Sequence, residues 1–211
     1  MKSSSRLPLL SLLLLYFGTI LYYRGGMVGR CVGAITFLAI GLFTGTDPEF
    51  SVREMLPRHT SQETLAQVAV GLISGSTAYL LYKLGMYCMD FSGGRVAWAL
   101  PASAIALVVA TATGEEVFFR GYIQRRISGA IHPFFAIVLV SLVVAIYKMT
   151  ITSEGWSWEG AIVIGGVSAL GCIWTGLLFH WSGSLVAPII CHVSWDLLVF
   201  GNQSARPYWL Y

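Results

Sequence analysis

Seven apolar runs, at 7–23, 27–44, 65–89, 96–112, 133–150, 160–180 and 185–200, occupy most of the 211-residue chain. An α-helix needs about 20 such residues to cross the hydrocarbon of a bilayer. Lipid offers no partner to an open strand edge, so runs of this kind fold as helices. Composition agrees: 56% of residues are hydrophobic and 11% charged, where a soluble domain carries about a quarter charged. The expectation is an all-α, polytopic transmembrane helical bundle of about seven membrane helices. The shorter runs are tilted or incomplete spans, and the lipid bilayer is a standing partner.

Several function classes fall away on the same grounds. A net charge of +3, with no basic arm or aromatic-interleaved patch, gives no footprint for nucleic acid. Cys31, Cys88, Cys172 and Cys191 show no CxxC spacing and sit in or beside apolar runs, so they read as small hydrophobes. The start, MKSSSRLPLLSLLLLYFGTILYY, has the basic head and apolar middle of a signal peptide. Tyr22, Tyr23 and Arg24 stand where small residues would mark cleavage, so it is expected to be a retained first span. The Asn202-Gln203-Ser204 triplet matches a glycosylation acceptor, a pattern too short to carry weight.

The longest polar interval, 45–63, reads as a loop with a short interfacial helix. Three parts follow: 1–94, with amino-terminal membrane helices and that interfacial segment; 95–201, a core holding the charges at membrane depth; and 202–211, a short tail. Lysines and arginines weigh slightly toward an inside amino terminus, with Lys2, Arg6, Arg53, Arg58, Arg120, Arg125 and Arg126 inward. Arg24, Arg30, Lys83, Arg95 and Arg206 then lie outward. The sixth run carries Ala161, Gly165 and Ala169 on one stripe and Ser168, Cys172 and Gly176 on another, which close helix packing explains. Trp156, Trp158, Trp181 and Trp209 fall near span ends, as interfacial anchors do.

Few polar residues lie where charge is expensive. Glu115 and Glu116 follow an apolar run and are expected to begin a mixed helix, with Arg120 four residues after Glu116 on the same face. Lys148 ends the run SLVVAIYKM, and His192 and Asp196 lie four apart within the last span. An ionisable group at membrane depth costs kilocalories and is a functional hypothesis by default. Arg125, Arg126 and His180 are read as interfacial residues. The remaining six suit acid–base work: two neighbouring carboxylates, a charge partner, an imidazole with a carboxylate on its face, and a lysine. Such a group activates a water for hydrolysis, holds a metal, or relays protons. From the residues alone no substrate follows.

At these residues the sequence resembles the CAAX-processing and bacteriocin-processing family of intramembrane proteases, the Abi family. Glu115, Glu116 and Arg120 match its EExxxR motif, with the FFRG continuation at Phe118, Phe119, Arg120 and Gly121. His192 and Asp196 match its HxxxN/D motif, after the typical lead-in SGSLVAPIICHVSWDLL. The resemblance covers about 97–200, so that 95–201 is the protease-like core. One departure stands out: where the family has FxxxH, this chain has Val144-Ala145-Ile146-Tyr147-Lys148, with lysine in the histidine's place.

The resemblance implies a glutamic-type endopeptidase acting on a membrane-anchored protein or peptide substrate, tagged or lipidated at its carboxy terminus. Glu115 would be the general base for water, and Glu116, paired with Arg120, would fix the helix. His192 would serve the oxyanion or shuttle the proton, oriented by Asp196, with Lys148 adding positive charge against the oxyanion or, desolvated and deprotonated, assisting as base. Lysine in place of histidine disfavours a zinc site, so no cofactor is expected, with a divalent metal the alternative. The compact motif spacing suggests a multi-pass protein of a bacterial inner membrane. The competing reading is a catalytically inactive member that binds partners or confers bacteriocin immunity, motivated by Lys148. A transporter using the glutamates and histidine as a proton relay explains the charges but not the paired motifs.

Overall fold

The computed structural model describes residues 60–88, 100, 102–152 and 158–201. These are helical: α1 (Ser61–Cys88), α2 (Ala102–Glu116), a π-helical segment (Val117–Gln124), α3 (Arg125–Ser128), α4 (Pro133–Thr152), α5 (Trp158–Ser182) and α6 (Val186–Gly201). The runs at 7–23 and 27–44, most of the 45–63 interval, Cys31, Trp156, Trp209 and the Asn202 triplet lie outside the described residues. The other five runs each have their helix. The chain is a helical integral membrane protein, and among the described residues three stretches are long and apolar enough to cross a bilayer: Ser61–Leu84, Ala102–Ser128 and Ile162–Ser182. Pro133–Met149 and Val186–Gly201 are apolar but shorter.

Local chemistry sets the boundaries. Thr60 caps α1: its backbone N–H donates to the Glu63 carboxylate at 3.0 Å, as in a capping box. Ser61 and Glu63, assigned from sequence to the polar interval, are therefore the first turn of a membrane helix. Between α5 and α6 the chain reverses through Gly183, at φ 61°, a left-handed position that suits glycine. Its N–H donates to the Phe179 carbonyl at 2.9 Å, and the Ser184 hydroxyl accepts from the Val186 N–H at 3.2 Å. That turn places the start of α6, and with it the height of His192.

Neighbouring helices pack through small residues, as they must where lipid gives no hydrophobic drive to association. A side chain on Gly75 would meet the Cys191 carbonyl at 2.5 Å and Ser194 Cβ at 2.8 Å; one on Gly71 would meet the Ala187 carbonyl at 2.8 Å. The contacts advance in the same direction along both helices, so α1 and α6 run parallel. Gly165 lies against Met149 and Gly176 against Ile137, so α4 and α5 run antiparallel. Gly165 and Gly176, the glycines of the two stripes read from α5, both meet α4; Gly166 and Gly171, which lie off those stripes, have open space. Leu72, Ile73, Leu80, Leu81 and Leu84 of α1 point outward, as lipid-facing residues do.

The interior beside the charged groups is aromatic. Phe118, Phe119 and Tyr122 pack with Val140, Val144, Tyr147 and Leu185. Phe119 and Tyr147 sit 6.1 Å apart by ring centroid. The pair of phenylalanines after the glutamates therefore packs the π segment onto α4, one residue before Lys148.

Candidate active site

Glu115 and Glu116 close α2 rather than opening a new helix. The helix continues through them into the π segment and on to Ser128. The sequence reading placed a boundary where hydropathy fell, but backbone hydrogen bonding carries on because the charges are satisfied inside the bundle. Six of the eight π residues, Phe118, Phe119, Arg120, Gly121, Tyr122 and Gln124, are buried. Turns of π-helix recur at functional sites.

All six candidate residues come together from three helices. Lys148 Nζ of α4 donates to Glu115 Oε1 at 2.7 Å. His192 of α6 stands between the glutamates: its Nδ1 lies 2.8 Å from Glu116 Oε1, and its Nε2 lies 4.0 Å from Glu115 Oε2. Where Glu116 is ionised it can only accept, and Nδ1 is then the donor. Asp196 Oδ2 is 3.6 Å from Nε2, beyond hydrogen-bond reach. The i,i+4 spacing suggested Asp196 as the residue that orients the ring, but Glu116 makes the closer contact.

Arg120 anchors the buried end. Its Nε lies 3.3 Å from Glu116 Oε2, held by charge without a hydrogen bond's geometry. Its Nη2 donates to the Cys172 carbonyl at 3.2 Å and to the Thr175 hydroxyl of α5. Gln124, one turn on, donates to the Gly176 carbonyl at 3.1 Å. Sequence reasoning missed Thr175 and Gln124. Gln124 falls within the charged stretch and was within reach of inspection, but Thr175 is 55 residues from Arg120, with no local signal.

Exposure is graded across the cluster. The side chains of Glu116 and Arg120 are 2% exposed, those of His192 and Lys148 18%, and that of Asp196 20%. Of the residues read as interfacial, Arg125 and His180 are exposed, and Arg126 lies over the Tyr122 ring at 4.7 Å. Trp181, 65% exposed, ends α5. Among the described residues no group of three or more His, Cys, Asp or Glu side chains is placed to hold a metal ion.

Two carboxylates, an imidazole between them and two fixed cations form an arrangement able to take a proton from water and return it to a leaving group. Residues 97–198 match the family model described as "Type II CAAX prenyl endopeptidase Rce1-like". No curated protein and no solved structure matches the chain.

Proposed function

We propose that the chain, whose residues 97–198 match the Rce1-like model of type II CAAX prenyl endopeptidases, is a membrane protease that hydrolyses a peptide bond of membrane-anchored proteins by glutamate-activated water. The substrates would be lipidated or tagged at the carboxy terminus, and the host membrane a bacterial inner membrane. The observation that carries the reading is His192 lying between two adjacent glutamates, 2.8 Å from one and 4.0 Å from the other.

In this reading Lys148 fixes one oxygen of Glu115 at 2.7 Å and leaves Oε2 to take a proton from water. The hydroxide attacks the scissile carbonyl carbon, and its charge passes to the carbonyl oxygen. His192 donates to that oxyanion from Nε2 while Glu116 holds Nδ1. Collapse breaks the C–N bond, and the proton held on Glu115 goes to the departing amine. With His192 doubly protonated, three carboxylates face three cations, a balance that buried charge favours. The graded exposure supports approach of the substrate from the side of His192, Lys148 and Asp196.

One observation favours a second reading. Lys148 at 2.7 Å from Glu115 neutralises the carboxylate that would act as base, as expected of a member that binds peptide without cutting it. The two part on a single experiment. The purified protein is incubated in 18O-labelled water with membrane-anchored peptides in which a lipidated cysteine is followed by a short carboxy-terminal segment. Mass spectrometry of a new carboxy terminus bearing one labelled oxygen supports hydrolysis. Peptide retention without cleavage across the panel supports binding alone.

A further inference from the structure

Beside the site three contacts stand in series, and the first belongs to a residue given no role above. Thr175, buried on α5, donates to the Cys172 carbonyl at 3.4 Å and accepts from Arg120 Nη2. The Arg120 guanidinium faces Glu116 Oε2 at 3.3 Å, and Glu116 Oε1 faces His192 Nδ1 at 2.8 Å. Guanidinium and carboxylate are both rigid planes, so a turn at one edge moves the other edge. The two oxygens of Glu116 face Arg120 and His192 separately, so the arginine's charge and the imidazole act on the same carboxylate.

The Thr175 hydroxyl also fits where another residue would not. Its hydrogen is spent on the Cys172 carbonyl, which turns a lone pair to the arginine. Arg120 has donors and no acceptor, so only an acceptor at position 175 completes its shell from that side. The Gln124 bond to the Gly176 carbonyl holds the same stretch of α5 against the π segment, which keeps the hydroxyl in register.

We propose that Thr175 is a positioning residue of the site: acting through Arg120 and Glu116, it sets the orientation of the His192 ring. Its effect on cleavage rests on the proteolytic reading; its effect on the ring does not, and the test separates them. The ring is faced by Glu115 and Glu116 from α2 and by Asp196 from its own helix, with Lys148 of α4 behind Glu115.

The full-length protein in detergent is labelled with 13C in its histidine rings and titrated by NMR, with His192→Gln to assign the signal. Thr175→Val removes the acceptor at nearly constant shape, and Thr175→Ser keeps it. The expected result is a His192 midpoint moved by more than about 0.3 pH unit in Thr175→Val, a twofold change in the proton equilibrium, with Thr175→Ser matching the parent. Cleavage should fall at least about tenfold in kcat for the valine variant, with KM nearly unchanged, and recover in the serine variant. A valine variant with the parent's His192 titration overturns the proposal, as do equal shifts in both variants. If Thr175→Val does not fold, Thr175→Ala is read in the same way. A parent that cleaves nothing counts against proteolysis alone, and the titration still decides the role of Thr175.

Discussion

Glu116 Oε1 and His192 Nδ1 lie 2.8 Å apart, joining the end of α2 to the middle of α6 across 76 residues of sequence. The contact divides the labour between two adjacent glutamates. Glu116 holds the imidazole and is itself held by Arg120, while Glu115, paired with Lys148, keeps one oxygen turned toward Nε2. Glu116→Gln retains the shape and replaces the carboxylate beside the imidazole with a neutral amide. Cleavage should fall at least about a hundredfold in kcat with little change in KM. Steady-state kinetics on a cleaved peptide checks this.

Arg120 is a buried cation whose partners come from α2 and α5. Removing one member of a buried pair leaves the other charge uncompensated, at about 3–5 kcal/mol. Arg120→Met should therefore lower the thermal unfolding midpoint in detergent as well as activity. Arg120→Lys should not restore activity, because a single ammonium cannot reach Glu116, the Cys172 carbonyl and Thr175 together.

Lys148 decides between the two functional readings. If its charge serves the reaction, Lys148→Met lowers cleavage at least about tenfold, and Lys148→His retains cleavage in the presence of a chelator. Higher activity in Lys148→Met would mean that the lysine silences Glu115. Rates with and without chelator across the three proteins measure both effects.

Helix packing gives a prediction free of chemistry. Gly75→Leu places a side chain against the Cys191 carbonyl and Ser194 of the histidine-bearing helix. Overpacking costs about 1–3 kcal/mol, so stability and activity should fall together. Gly166→Leu, which enters open space, should stay within about 0.5 kcal/mol of the parent. Unfolding in detergent compares them.

Where sequence alone succeeded and where it stopped has a physical pattern. The five apolar runs that fall on described residues were legible as helices because lipid demands both length and helicity. Glu115, Glu116, Arg120, Lys148, His192 and Asp196 were legible because each charge at that depth is costly. The continuation of α2 through its glutamates was not, since hydropathy reports the solvent expected and not the partners folding supplies. Nor was the pairing: i,i+4 spacing joined His192 to Asp196, and the ring instead lies closer to a glutamate of another helix. The parallel packing of α1 on α6 rests on Gly71 and Gly75, two glycines in an apolar run that carry no distinctive signal until their neighbours are known. Thr175 was hidden for the same reason.

The central claim is that Glu115 activates water for peptide hydrolysis, and the most direct measurement compares the parent with Glu115→Gln on one cleaved, membrane-anchored peptide. Both proteins must show the same elution in detergent and unfolding midpoints within a few degrees. Loss of cleavage by at least about a thousandfold in the variant, with peptide binding retained, is the expected result. Cleavage by Glu115→Gln at the parent's rate would contradict it.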